Sequence, residues 1–160
     1  MKNITEKIDF CFIGPEAPLK DKYADYFESN NIPCIGPLSI YAQLETSKGF
    51  CRDFLKNNNE LNNYSVSYEI INNENKNEIN ITNIFNKFDK IVIKKDGLCG
   101  GKGVIVQDYD FDNKYEKIDY ILKSKDTFII EEKLTGEEFT ILSITDGFGN
   151  IQHFPPIQDN

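Results

Sequence analysis

Lys94, Lys95 and Lys102 stand among Gly97, Gly100, Gly101 and Gly103, and this segment concentrates the chain's residues best suited to binding an anion. Glycine lacks a Cβ, so backbone N–H groups there can approach a ligand closely, and neighbouring lysines add positive charge. A polyphosphate suits that combination. The β-branched runs Ile91-Val92-Ile93 and Val104-Ile105-Val106 flank the loop and predict two strands joined by a long hairpin connection. The segment is not a Walker loop, because the GxxxxGK[ST] spacing is missing and a strand follows in place of a helix. Taken alone it admits two readings: a flap folded over a nucleotide, or a mobile hairpin with a soluble tip.

The rest of the chain bounds what such a loop can serve. At 160 residues it can bury a core of its own, and a hydrophobic content of 39% with mean hydropathy −0.47 describes a soluble protein. No apolar run reaches the ~20 residues that span a bilayer. The polar start Met1-Lys2-Asn3-Ile4-Thr5-Glu6-Lys7 is not a signal peptide, so a cytoplasmic location is expected. A net charge of −8 argues against a nucleic-acid partner but not against a nucleotide, whose field is local. Cys11, Cys34, Cys51 and Cys99 form no CxxC pair, so neither a disulfide framework nor a zinc site is expected. The first three read as small buried hydrophobes, whereas Cys99 lies inside the glycine loop.

Several elements must position the loop. The run 8–13 predicts a buried strand ending at Gly14-Pro15, Leu19 to Asn30 a helix, and Ile32 to Ile35 a second strand ending at Gly36-Pro37. Strand, helix and strand with short joints make a parallel βαβ unit, whose turns sit at the ligand-binding carboxyl edge of an α/β sheet. Ser39 is expected to cap a helix through Leu44, and Ser47 another through Leu55. Tyr64 to Tyr68 alternates like a strand, the Asn-rich segment 72–77 reads as a loop or linker insertion, and Ile79 to Phe88 as an amphipathic helix. Beyond the loop, 112–123 is helix-like, 127–131 and 139–144 are strand-like, Asp146 to Asn150 is a turn, and Ile151 begins a last strand. The fold class expected is α/β then α+β, with domains at 1–58 and 59–160.

The motifs, taken in order, resemble a known family. Gly14-Pro15-Glu16-Ala17-Pro18-Leu19, Ala42-Gln43-Leu44-Glu45-Thr46-Ser47-Lys48, Val92-Ile93-Lys94-Lys95-Asp96-Gly97-Leu98, Gly101-Lys102-Gly103-Val104, Glu131-Glu132-Lys133-Leu134-Thr135-Gly136-Glu137-Glu138 and Pro156-Ile157-Gln158-Asp159 are similar to signatures of glycinamide ribonucleotide synthetase, a phosphoribosylamine–glycine ligase. The resemblance implies a partial Rossmann-like unit followed by the first lobe of an ATP-grasp fold. It also implies ATP-dependent joining of glycine to phosphoribosylamine through an acyl phosphate. In that frame Lys94 reaches the ATP phosphates, Lys48 is similar to the first basic residue that contacts ATP, Arg52 one turn later could share that role, and Gly100, Gly101, Lys102 and Gly103 form the flap. Glu131, Glu132 and Leu134 belong to an adenine-reading hinge, where Glu131 accepts from the adenine amino group. Glu138 or Glu137 accepts from the ribose, and Gly14, Pro15 and Glu16 face phosphoribosylamine. His153 is expected to be an ordinary strand residue.

The chain also departs from the family pattern. The segments that hold the sugar phosphate, the glycine and the magnesium ion are not matched, so the expectation is a central fragment, inactive alone, with the Mg2+ ligands outside it. Arg52 stands for a lysine, Lys133 for an aromatic, Asn160 for a histidine, and Cys99-Gly100 for two alanines. Two alternatives remain: another ATP-grasp carboxylate–amine ligase, or a truncated, non-catalytic nucleotide-binding protein.

Overall fold

The computed structural model describes residues 7–158; the N-terminal residues 1–6 and the Asp159 and Asn160 of the last motif lie outside them. Strands β1 (Cys11–Phe12) and β2 (Cys34–Ile35) pair in parallel, with Cys11 opposite Cys34 and Phe12 opposite Ile35. Two helices, α1 (Glu16–Lys20) and α2 (Tyr23–Ser29), connect them in place of the single helix expected. The break falls at Lys22, in the left-handed region at φ 64°. A straight helix would set Leu19 and Ala24 about 140° apart around its axis; the turn lets both enter one core with Ala42. The first strand is also less enclosed than expected. Ile13 and Cys34 pack on that core, while Phe10 and Phe12 are each 64% exposed because the outer face of the two-stranded sheet is bare.

Helices α3 (Ser39–Thr46) and α4 (Lys48–Asn57) follow. Ser39 is the first residue of α3, not its cap: its backbone N–H and hydroxyl both donate to Asp25, at 2.8 and 2.9 Å. An anion brought from α2 thus occupies the helix N-terminus that a side-chain cap would otherwise serve. Ser47 does cap α4, accepting from the Phe50 N–H at 3.1 Å.

A 3₁₀ turn (Asn62–Tyr64) leads into the larger sheet, built from β3 (Tyr68–Ile71), β4 (Ile91–Lys95), β5 (Val104–Val106) and β6 (Phe128–Glu132). Its order is β3-β6-β4-β5 and every pairing is antiparallel. The strand expected from Tyr64 therefore starts at Tyr68, because the Asn58 side chain accepts from Glu60 and Leu61 and winds the preceding segment into turns. The Asn-rich segment is an organised turn. Asn72 Oδ1 accepts from the N–H groups of Glu74 and Asn75 at 3.0 Å each, and Asn75 Oδ1 accepts in return from the Asn72 N–H at 2.8 Å.

One face of the sheet is covered by α5 (Ile81–Asn86), a 3₁₀ turn (Lys114–Lys117) and α6 (Ile118–Lys123), into which the helix expected over 112–123 divides. Ile81, Ile84, Phe85 and Phe88 pack there against Ile71, Ile91, Ile93, Ile121, Phe128 and Ile130. Strand alternation puts Lys94, Ile129 and Glu131 on the opposite face, toward α4. Beyond Lys133 the segment expected as one strand splits into β7 (Phe139–Thr140) and β8 (Ser143–Thr145), which pair separately with β10 (Ile157–Gln158) and β9 (Ile151–His153). Every described residue from Leu134 onward is exposed, so these ribbons add nothing to a core. His153 sits on β9 with Nδ1 2.7 Å from the Ser143 hydroxyl. All four cysteines are free and half-buried, not buried as expected of the first three: the thin β1–β2 sheet and the cleft side of α4 leave them partly open.

Candidate functional site

The β4–β5 connection is a closed loop. Lys95 N donates to Gly103 O at 2.6 Å and Lys102 N to Cys99 O at 3.1 Å, with Gly100 (φ 56°) and Gly101 (φ 77°) in succession in the left-handed region. Side chains rarely adopt that geometry, so the glycines let the loop fold over with exposed backbone at its tip. Gly103 has a separate reason to be glycine: a Cβ there would lie 2.5 Å from the Cys99 Cβ.

Beneath the loop is a cleft of 410 Å³, walled by α3 and α4 on one side and by β4 and β6 on the other. Glu16, Leu44, Glu45, Lys48, Cys51, Arg52, Lys94, Gly97 to Gly101 and Glu131 line it. At its floor Glu131, 3% exposed, accepts from Arg52 through both oxygens, Nε to Oε1 at 2.6 Å and Nη2 to Oε2 at 3.0 Å. Lys94 Nζ approaches Oε2 at 2.6 Å. The contact follows from register: Lys94 pairs with Ile129 and Glu131 with Val92, so the two charged residues are diagonal neighbours on one face.

Burial alone would push the Glu131 carboxyl up; the hydrogen bonds from Arg52 and Lys94 outweigh it and hold the group below its ordinary value. The Glu131 carboxylate in turn raises Arg52. At the floor, two cations against one carboxylate leave one positive charge in surplus, a local field suited to a phosphate, while Glu16 and Glu45 elsewhere in the lining offset the charge of the cleft as a whole. The α3–α4 side is joined to the loop by Lys48, whose Nζ donates to the carbonyls of Lys95 at 3.1 Å and Gly97 at 2.7 Å. Asp96 completes the joint, accepting from Lys48 N at 2.6 Å, Gly49 N at 3.2 Å and Ser47 Oγ at 3.1 Å.

Of the residues singled out in the sequence, Glu16, Lys48, Arg52, Lys94, Gly100, Gly101 and Glu131 share this cleft. Lys102 and Gly103 continue the loop but do not line it, and Gly14 and Pro15 lie just before Glu16. Glu132, Leu134 and Glu138 are exposed along the strand end and the segment beyond it, outside the lining. The Glu131 side chain is directed at the cations Arg52 and Lys94. Asp96, Cys51, Leu44 and Glu45 were not anticipated; Asp96 follows Lys94 by two positions, but its partner helix lies 48 residues away and no local spacing announces it. Among the described residues no group of three or more His, Cys, Asp or Glu side chains forms a metal site. A wider groove of 720 Å³, lined by Lys20, Ser39, Gln43, Thr127 and others, lies behind the loop base and shares Gly97 with the cleft.

The sequence and the fold both have known relatives. The phosphoribosylamine–glycine ligase of Methanobrevibacter smithii is 36% identical, matched over 98% of this chain and 36% of its own length. A solved structure of the phosphoribosylamine–glycine ligase of Thermotoga maritima superposes with a TM-score of 0.64 at 25% identity, over 95% of this chain and 36% of that one. The D-alanine–D-alanine ligase of Bacillus anthracis, solved in complex with ATP, shares the fold with a TM-score of 0.63 at 18% identity, over 94% of this chain and 47% of its own. The chain thus spans little more than a third of the ligases it matches by sequence, and its architecture is a partial Rossmann-like unit followed by an ATP-grasp lobe. The model of the phosphoribosylglycinamide synthetase N domain matches residues 2–45 and that of its ATP-grasp (A) domain residues 46–160, and the chain belongs to this family.

Proposed function

We propose that this chain supplies the phosphate-binding wall of a ligase that joins glycine to 5-phosphoribosylamine at the expense of ATP. The observation that carries the reading is the cationic floor, Lys94 and Arg52 around buried Glu131, lying under a glycine loop. In the reaction the γ-phosphoryl group passes to a glycine carboxylate oxygen, leaving ADP. The amine of phosphoribosylamine then attacks the acyl carbon, phosphate departs with the bonding pair, and the amine loses a proton. For the first step, phosphoryl transfer needs little covalent help and much positioning and charge neutralisation. Lys94 neutralises phosphate oxygens, the N–H groups of Gly100 and Gly101 donate to them, and the closed loop excludes water from the acyl phosphate.

Lys48 acts mainly through the loop, since its ammonium holds the carbonyls of Lys95 and Gly97. Glu131 acts in this reading through Lys94, and the backbone of the strand end from Glu132 to Leu134 carries the adenine edge. Glu138 or Glu137 takes the ribose, and Gly14, Pro15 and Glu16 face the amine substrate. Magnesium, when bound, would supply positive charge to offset that of the phosphates; its carboxylate ligands and the glycine-positioning groups are assigned to the part of the relatives' length that this chain does not span. Residues 1–58 are taken as the partial Rossmann-like domain and 59–160 as the ATP-grasp region, whereas the family models divide one helix earlier, before α4.

Calorimetric titration with ATP and magnesium tests the site: the wild-type chain binds and Lys94→Glu abolishes binding, because an anion replaces the phosphate's cation. Retained affinity in that variant would remove the phosphate-site assignment. Amide formation by the chain alone would show that it needs no further segment.

A further inference from the structure

Glu131 is the most enclosed charged side chain of the cleft, yet it faces two cations where one would neutralise it. We propose that Arg52 is a positioning residue that frees Lys94: it is the permanent counter-ion of Glu131, so the Lys94 ammonium can leave the carboxylate and meet a nucleotide phosphate. The inference rests on the nucleotide-binding reading above and deepens it.

The two cations hold Glu131 differently. Arg52 engages both carboxylate oxygens with a planar fork, at 2.6 and 3.0 Å, a geometry that is pre-organised and always charged. Lys94 makes one contact, at 2.6 Å to Oε2, through a compact charge on a flexible four-carbon stem. A carboxylate this enclosed is costly to leave without a cation, whereas one cation suffices to keep it charged. When a phosphate enters, Lys94 exchanges one anion for another while Glu131 remains paired with Arg52. Without Arg52 the same movement would strip Glu131 of its last counter-ion, so Lys94 would be held back. The guanidinium therefore governs nucleotide affinity without touching the nucleotide.

The experiment compares wild type, Arg52→Gln, Arg52→Lys, Glu131→Gln and the double variant Arg52→Gln/Glu131→Gln. Two readouts are used: calorimetric ATP affinity with magnesium, and the rate at which acetyl N-hydroxysuccinimide acylates Lys94 in the ligand-free chain, followed by peptide mass spectrometry. Arg52→Gln weakens ATP binding by at least about tenfold and slows Lys94 acylation, as expected when a buried carboxylate has a single cation left. The double variant restores both, and Arg52→Lys keeps most of the affinity. An ATP-affinity loss that the double variant does not restore would mean that Arg52 contacts the ligand itself, and would overturn the proposal. So would an unchanged acylation rate in Arg52→Gln. If the wild-type chain binds no ATP, the nucleotide reading fails, while the acylation comparison still decides the counter-ion role. If Arg52→Gln does not fold, Glu131→Gln decides it: released from its carboxylate, Lys94 must acylate faster than in wild type, and an unchanged rate overturns the proposal.

Discussion

Glu131 concentrates the residue-scale energetics of the cleft, and its titration leads to a pH prediction. Burial raises its carboxyl, but Arg52 and Lys94 bring it below the ordinary range. A carboxylate depressed in the folded state adds stability that is complete above the unfolded-state value, about 4.3, and is lost as pH falls through the native value. Thermal unfolding of wild type and Glu131→Gln between pH 7 and pH 3 should show a gap that is constant near neutrality and closes in acid. A gap that held through pH 3 would mean that the ion triad does not contribute in this way. Gly103 gives a steric prediction at the same scale. Its added Cβ would lie 2.5 Å from the Cys99 Cβ and 2.6 Å from Sγ, so Gly103→Ala should cost about 1–3 kcal/mol by urea denaturation. Cys99→Gly should relieve that cost in the double variant, and Cys99→Ala should not, because alanine keeps the offending Cβ.

At the scale of elements, the loop and helix α4 behave as one device, because each end of the joint satisfies the other. Asp96 from the loop base takes the first N–H groups of α4, and Lys48 from α4 takes two carbonyls of the loop base. A carboxylate at a helix N-terminus both satisfies orphan donors and meets the positive end of the helix dipole. Asp96→Ala should cost about 1 kcal/mol of stability and speed amide exchange in the first turn of α4. The same variant should weaken ATP binding with Lys94 intact, since the loop base loses its anchor. Unchanged exchange at Lys48 and Gly49 would show that Ser47 alone caps the helix.

Across the whole molecule, packing is uneven. The four-stranded sheet and its helices enclose Phe85, Ile91, Ile93, Phe128 and Ile130 almost completely. The β1–β2 unit has only a small core around Leu19, Ala24 and Ala42. The ribbons β7 to β10 are exposed throughout, with Phe139, Ile151 and Ile157 at 64, 58 and 60%. Local opening costs little where few apolar contacts hold a strand. Native-state hydrogen exchange should therefore rank β4 and β6 slowest, β1 and β2 intermediate, and β7 to β10 fastest. Protection of β7 to β10 equal to that of β4 would contradict this account.

What depended on neighbours in the chain was legible before the fold was known. The β-branched runs at Ile91 and Val104, the i, i+3, i+4 spacing of Ile81, Ile84 and Phe85, and the Ser47 cap act over a few residues, and each forms as its spacing implies. The α/β then α+β order followed from the same local signals. Breaks imposed by packing were not legible: the left-handed turn at Lys22 and the division between Thr140 and Ser143 exist because the flanking residues find different partners. Nor was the wiring of the cleft. Lys94, Lys48, Arg52 and Glu131 stood out one by one, but their pairing did not, because Arg52 and Glu131 are 79 residues apart and Lys48 and Gly97 are 49 apart. Periodicity and capping are encoded in short spacings. The pairing of charges across a cleft is decided only when α4 is laid against β6 and water is removed from between them.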